Sequence, residues 1–109
     1  MTFEDYQDAV KRLAFYPYAG HNIEYPVLGL CGEAGELANK VKKIQRDDNN
    51  SISSSKRQDL IKELGDVLWY VAACANELHV PLTEIAQLNI DKLFSREERG
   101  TLSGSGDTR

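Results

Sequence analysis

The chain has 109 residues, of which 41% are hydrophobic and 28% charged, as expected for one globular domain. Its 13 basic and 17 acidic residues give a net charge of −4, which disfavours binding to nucleic acid polymers through a basic surface. No apolar run is long enough to cross a membrane, and the N-terminus lacks the apolar core of a secretory signal. With only two cysteines, Cys31 and Cys74, we expect a reduced, cytoplasmic protein rather than a disulfide scaffold.

The N-terminal part of the chain predicts one helix and an aromatic connection. Apolar residues three or four positions apart predict a first helix over about Phe3–Ala14, with Thr2 as its N-cap. The segment that follows, FYPYAGHNIEYP, is rich in aromatic residues, glycine and proline. We expect this segment to be a loop whose aromatic side chains cover part of the fold or stack on a bound group, because four aromatic side chains are unusual in a purely solvated loop.

Three further helices are predicted after this loop. The second begins near Pro26, since proline suits the first helical position, and extends to about Gln45. The third is capped by a serine among residues 53–55 and extends to about Leu78. The fourth covers about Pro81–Glu98 and precedes a glycine-rich tail. These elements predict an all-α antiparallel bundle in a single domain, 1–109, with a tail at 100–109 that is flexible or covers a ligand.

The two central helices carry the same acidic pattern thirty residues apart. Each has two carboxylates three positions apart, with a glycine immediately before the second one, on one flank of an apolar stripe. If the two helices pack antiparallel, an approximate two-fold axis brings the four carboxylates together. They are Glu33 and Glu36 in the second helix and Glu63 and Asp66 in the third.

Four clustered carboxylates need a counter-charge, because like charges a few ångströms apart repel strongly. Ligands that are all oxygen select Mg²⁺ or Mn²⁺ over Zn²⁺, and carboxylate-bound Mg²⁺ indicates a phosphate-bearing ligand. Gly35 and Gly65 lower helix propensity, which indicates close backbone approach or room for a ligand beside the acids. The alternative is that both acidic pairs lie on a solvated surface.

Apolar side chains also occur outside the main stripes of the two long helices, as at Leu28, Trp69 and Ala73. In a chain this short, helices that are apolar on several sides indicate burial in a larger assembly. We therefore expect a homodimer or a homotetramer. The alternative for Trp69 is that it covers the bundle of its own chain.

These residues resemble the MazG-like family of all-α nucleoside triphosphate pyrophosphohydrolases, in its short single-domain form. The resemblance rests on the paired acidic motifs and on the segments around them, and it covers nearly the whole chain. The segments are YPVLGLCGEAGE at 25–36, ELGDVLWY at 63–70, NIDKL at 89–93 and RGTLSGSGDTR at 99–109.

The resemblance implies hydrolysis of ribo- or deoxyribonucleoside triphosphates to a monophosphate and pyrophosphate, in a role that clears surplus or unwanted nucleotides. It implies dependence on Mg²⁺, with Mn²⁺ as a substitute, and assembly into dimers or tetramers. By matched position, the metal ligands and catalytic residues are Glu33, Glu36, Glu63 and Asp66, and one glutamate orients the attacking water.

Several side chains near the acids are candidates for contact with the substrate. Basic residues on two helices would hold the triphosphate, unless they are solvated or paired with acids; they are Lys40, Lys43, Lys92 and Arg96. Asn89 shares the face of the last two and would contact a base or a sugar through its amide, unless it is an ordinary residue of that face. Tyr70 falls on the acidic side of its helix and Trp69 on the opposite side. The aromatic loop would stack on a base through Phe15, Tyr16 or Tyr18, or cover the core.

Two other functions remain open at this stage. The same fold would serve a related pyrophosphatase that acts on dUTP or phosphoribosyl-ATP. A non-catalytic helical dimerisation module is the alternative from another class. The repeated acidic pairs argue against the module, because packing alone gains nothing from four clustered carboxylates.

Overall fold

The structure is a computed structural model that describes residues 1–109 and contains four helices. Helix α1 covers Phe3–Arg12, α2 Glu24–Asp47, α3 Ser54–Glu77 and α4 Leu82–Glu98. No strand is present, which confirms the predicted all-α class.

Two of the predicted helix starts are confirmed in atomic detail. The Thr2 hydroxyl accepts a hydrogen bond from the Asp5 amide at 3.0 Å, and the Asp5 carboxylate accepts one from the Thr2 amide at 3.2 Å. This reciprocal pair is a capping box. At the start of α3, the serine that caps the helix is Ser53, whose hydroxyl accepts from the Lys56 amide at 3.2 Å.

The two proline positions differ slightly from the prediction. Helix α2 begins at Glu24, two residues before Pro26, because the Asn22 side chain accepts a hydrogen bond from the Tyr25 amide at 3.2 Å. Proline is tolerated there because the amides of a first helical turn have no intrahelical partner. In α4, Pro81 is the N-cap rather than the first helical residue.

Helix α3 is the centre of the packing. It contacts the other three helices, whereas α2 contacts α3 alone and α4 contacts α1 and α3 but not α2. The buried core lies on the C-terminal half of α3, where α1 and α4 meet it. Its members are Val10, Ala72, Ala73 and Leu82, with Tyr6, Trp69 and Val71 packed against them.

Much of the apolar surface is not covered within one chain. Only nine of the 109 residues are buried, and the radius of gyration is 16.8 Å, against about 13 Å for a compact domain of this length. On α2, Leu28 is 71% exposed, and Val27 and Val41 are also exposed. None of the four helices combines the length and the apolar character that crossing a bilayer requires.

Candidate metal centre

Three of the four predicted acids meet between α2 and α3. Glu63 and Asp66 lie one turn apart on the same face of α3, and Glu33 of α2 faces them. One carboxylate oxygen from each of these residues lies within 4.8 Å of the others. The site lies beside the core, where the two long helices run antiparallel.

The two oxygens of Glu63 have different surroundings. Oε1 lies 2.9 Å from the Lys40 ammonium nitrogen. Oε2 is buried and has no hydrogen-bond partner. A buried carboxylate oxygen without a partner is costly, and a cation held between Glu63, Glu33 and Asp66 would satisfy it.

The electrostatics of Glu33 also favour a bound cation. Burial raises the pKa of Glu33, and the negative charges of Asp66, Glu63 and Glu36 raise it further. The carboxylates therefore oppose one another's ionisation. A donor set made only of carboxylate oxygens suits Mg²⁺ or Mn²⁺, so the residues present fit a divalent cation.

The fourth acid, Glu36, lies at the margin of this cluster. Its side chain is exposed, and its oxygens are not among the three that converge. It is close enough for its charge to raise the pKa of Glu33. A cation bound by the other three acids would therefore also be attracted by Glu36.

The glycines beside the acids do not mediate a close backbone approach within the chain. A Cβ atom added at Gly35 or Gly65 would meet no atom within 4 Å, so these positions leave open space next to the carboxylates. Close packing occurs instead at Gly29, where an added Cβ would lie 2.2 Å from the Tyr70 ring. The ring of Tyr70 therefore packs directly on the backbone of α2.

Two aromatic side chains line the cavity next to the acids. Its volume is about 300 Å³, and it is lined by Glu33, Asp66, Trp69 and Tyr70. The position of Tyr70 agrees with the sequence prediction, whereas that of Trp69 differs, since helix periodicity predicts Trp69 on the opposite side of α3. The Trp69 indole contacts both the core and the cavity. It packs against the core and meets the Tyr70 ring edge-on at the cavity, with 5.2 Å between ring centroids.

An aromatic groove adjoins this cavity and shares Trp69 and Tyr70 with it. Its other walls come mainly from the loop between α1 and α2, and its volume is about 340 Å³. Within it, Tyr16 stacks on Tyr25 with 4.7 Å between centroids and 7° between planes. We call this the aromatic groove; its lining residues are Leu13, Phe15, Tyr16, Pro17, Tyr25, Trp69 and Tyr70.

The predicted basic residues divide between two places. Lys40 contacts the acids through Glu63, and Lys43 shares with it a cavity of about 200 Å³ between α2 and α3. On α4, Lys92 and Arg96 do not contact the acids. Their side chains are held instead by Asp107 of the tail.

The tail folds back on the end of α4. The Asp107 carboxylate lies 3.2 Å from Lys92 Nζ and 3.2 Å from Arg96 Nη2. Arg96 is 4% exposed and also donates to the Asp107 carbonyl at 2.7 Å. Arg109 donates to the carbonyls of Thr101 and Leu102. Asn89, the remaining predicted contact on α4, is exposed.

Comparison with known proteins identifies the family. Residues 22–101 match the family model of the MazG nucleotide pyrophosphohydrolase domain. The chain belongs to the MazG family. The match contains α2, α3 and α4, and with them Glu33, Glu36, Glu63 and Asp66. Enzymes of this family are hydrolases of nucleotides, and the acidic cluster of this MazG chain suits the divalent cation that such hydrolysis uses.

Two relatives share extended similarity with this MazG chain. The Gene 37 protein of Mycobacterium phage L5 is 50% identical over 114 residues, which covers 100% of both chains. The uncharacterized protein YvdC of Bacillus subtilis (strain 168) is 34% identical over 74 residues, which covers 63% of this chain and 70% of YvdC. No solved structure matches the chain.

Proposed function

We propose that this protein is a Mg²⁺-dependent nucleoside triphosphate pyrophosphohydrolase that clears surplus or unwanted nucleotides. The observation that carries the proposal is the convergence of Glu33, Glu63 and Asp66, in which the buried Oε2 atom of Glu63 has no partner. Mg²⁺ held by these acids would neutralise phosphate charge and polarise the attacking water. Mn²⁺ would substitute for it.

The reaction divides a nucleoside triphosphate at its α-phosphorus. The oxygen of a water molecule bonds to that phosphorus, the bond to the bridging oxygen of the β-phosphate breaks, and pyrophosphate leaves. The protons of the water pass to the surrounding acids or to solvent. One of the three glutamates orients the water: Glu33, Glu36 or Glu63. Catalysis therefore consists mainly of positioning and electrostatics.

Basic side chains next to the acids would contact the phosphate chain. Lys40 is already at the cluster through Glu63, and Lys43 lies beyond it in the same cavity. In this proposal Lys92 and Arg96 of α4 contribute to phosphate binding only after Asp107 releases them, since its carboxylate now pairs with both. Asn89 would contact the base or the sugar through its amide.

The nucleoside would lie in the aromatic groove. The groove shares Trp69 and Tyr70 with the cavity that contains Glu33 and Asp66, so one ligand can contact both. Flat bases gain about 1–3 kcal/mol from stacking on an aromatic side chain. Tyr70 would then contact the substrate at the junction between base and phosphates.

A second copy of the chain would cover the exposed faces of α2 and α3. Large apolar side chains such as Leu28 and Leu64 are exposed there, and α2 contacts no helix other than α3. Large apolar side chains left exposed on two neighbouring helices are typical of an interaction site. We therefore include a homodimer or homotetramer in the proposal.

The proposal is tested by measuring pyrophosphate release from a panel of ribo- and deoxyribonucleoside triphosphates with and without Mg²⁺. The panel includes dUTP and phosphoribosyl-ATP. We expect Mg²⁺-dependent release from at least one triphosphate. Glu33→Gln and Asp66→Asn should lower kcat at least about a hundredfold, because each removes charge that acts on the transition state.

The matched control is Glu97→Gln, which removes an exposed carboxylate of α4 far in sequence from the cluster. This variant should retain wild-type turnover, and all variants should retain helical circular dichroism. Release from dUTP or phosphoribosyl-ATP alone would assign a narrower pyrophosphatase. A chain that binds no Mg²⁺ and releases no pyrophosphate would instead be a non-catalytic dimerisation module.

A further inference from the structure

Glu77, the last residue of α3, is a buried carboxylate that does not belong to the acidic cluster. It is 8% exposed and is the only acidic side chain among the nine buried residues. Asp66 lies eleven positions earlier on the same helix, which corresponds to about 16 Å along the helix axis. Glu77 therefore does not contact an ion or a phosphate held by the acids.

All hydrogen bonds that Glu77 accepts come from one loop. Its Oε1 atom accepts from the Tyr16 hydroxyl and from the Gly20 amide at 2.9 Å, and its Oε2 atom accepts from the Asn22 amide at 3.0 Å. The donors span the connection between α1 and α2. A single carboxylate thus holds three points of that connection, at Tyr16, Gly20 and Asn22.

Backbone hydrogen bonds turn the loop locally, from the Ala19 amide to the Tyr16 carbonyl at 3.3 Å and from the His21 amide to the Tyr18 carbonyl at 2.8 Å. The hydrogen bonds that tie the loop to α3 all go to Glu77. Tyr18 has φ 56° and Gly20 has φ 95°, so two residues of the loop occupy the left-handed region, which is costly for tyrosine. Within the loop, the Asn22 side chain donates to the Pro17 carbonyl at 2.8 Å. Without the Glu77 carboxylate, the loop would gain conformational freedom.

Tyr16 connects Glu77 to the aromatic groove. Its hydroxyl donates to Glu77, its ring stacks on Tyr25, and the same ring lines the groove that adjoins the acids. The position of one groove wall is therefore set by a carboxylate that lies outside the groove. Loss of that carboxylate would let the wall move without altering the acids.

We infer that Glu77 is a positioning residue that sets the shape of the aromatic groove for a nucleobase. This inference rests on the proposed function, since it assigns the groove to the base of the nucleotide. Glu77 acts through the loop and through Tyr16, and it affects binding of the nucleoside part of the substrate. It does not affect binding of the triphosphate or of the metal ion.

The test compares Glu77→Gln and Tyr16→Phe with the wild type and with Glu97→Gln. The substrate is the nucleoside triphosphate that is hydrolysed fastest in the panel. We expect KM to rise about tenfold in Glu77→Gln and less in Tyr16→Phe, with kcat within a factor of about two. Glu97→Gln should match the wild type. Tyr16→Phe keeps the stacked ring and loses one of three donors, so it decides the question if Glu77→Gln folds poorly.

Inorganic tripolyphosphate has no base, so its binding distinguishes a defect in positioning the groove from general damage to the site. As a competitive inhibitor it should bind the two variants and the wild type equally well. If its inhibition constant rises together with KM, Glu77 supports the whole site and the inference is wrong. If KM is unchanged in both variants while the wild type hydrolyses its substrate, the inference fails and the proposed function stands.

A binding measurement tests the groove even without turnover. Trp69 is the only tryptophan in the chain and lines the groove, so its fluorescence reports a ligand there. Titration with nucleoside monophosphates, in the absence of metal, should quench the wild type, with affinity weakened in Glu77→Gln and Tyr16→Phe. Absence of quenching in the wild type, or equal affinity in all three proteins, overturns the inference.

Discussion

Single carboxylates in this protein differ sharply according to what surrounds them. Glu63 has one oxygen paired with Lys40 and one buried oxygen without a partner, an arrangement that is costly until a cation is shared. Glu77 is more deeply buried than Glu63, but three donors satisfy it. The first environment is typical of a ligand-binding group, and the second is typical of a group that holds the structure together.

The pH dependence of stability follows from the surroundings of Glu77. Burial alone would raise the pKa of Glu77, but hydrogen bonds from the Tyr16 hydroxyl and the Asn22 and Gly20 amides outweigh burial and lower the pKa below its ordinary value of 4.5. The ionised form therefore stabilises the folded state above that value, and the contribution is lost as the pH falls through the lowered pKa.

We predict that Glu77→Gln lowers the free energy of unfolding by about 2 kcal/mol at pH 7, because hydrogen bonds to a charged acceptor are lost. The difference from the wild type should shrink as the pH falls below 4.5. Urea unfolding of both proteins across this pH range measures it. A difference that stays constant down to low pH would show that the charge of Glu77 does not stabilise the fold.

The sequence predicted the acids but not Glu77, for a physical reason. The sequence predicts Glu33, Glu36, Glu63 and Asp66 as a cluster because their spacing repeats and because like charges on facing helices need a counter-charge. The partners of Glu77 are far away in sequence, and two of them are backbone amides. Every residue except proline has such an amide, so no pattern of residue types in the sequence predicts this contact.

At the scale of elements, the pairing of α2 with α3 positions the site. Antiparallel packing places Gly29 against Tyr70, Glu33 against Asp66 and Lys40 against Glu63. Residue numbers rise along one helix as they fall along the other. A change in the distance between these helices would therefore move the acids relative to one another.

We predict that Gly29→Ala destabilises the protein by about 1–3 kcal/mol, because the added Cβ would lie 2.2 Å from the Tyr70 ring and overpack the helix pair. Gly32→Ala is the matched control on the same helix, since its Cβ would meet nothing within 4 Å. Alanine in place of an unhindered helical glycine should stabilise by about 1 kcal/mol. Thermal unfolding followed by circular dichroism compares them; equal effects would contradict the close contact.

Helix periodicity was sufficient to predict the four helices, and their chemistry predicted Thr2 as one cap and a serine within 53–55 as another. Periodicity could not predict which glycine lies at a helix crossing, because Gly29, Gly35 and Gly65 all lie within helices and only packing distinguishes them. Periodicity also predicts only the side of α3 on which Trp69 begins. It does not predict that the long indole side chain reaches both the core and the cavity beside the acids.

At the scale of the whole molecule, the single chain is open. Its radius of gyration exceeds that of a compact domain of the same length, and α2 contacts no helix other than α3. Exposed leucines and valines on a long helix favour association.

We predict a mass of two or four chains in sedimentation equilibrium. Leu28→Glu should shift the mass toward a single chain, because Leu28 is 71% exposed on α2 and a charge there would be buried in the interface. Ile52→Glu, in the connection between α2 and α3, is the control and should leave the mass unchanged. A wild-type mass of one chain would contradict this assembly.

Calorimetric titration of the protein with Mg²⁺ measures whether the carboxylates of α2 and α3 jointly hold a divalent cation. We predict saturable binding to the wild type and to Glu97→Gln, with Mn²⁺ able to replace Mg²⁺. Affinity should fall at least about tenfold in Glu63→Gln. No binding to the wild type, or equal affinity in Glu63→Gln, would contradict it.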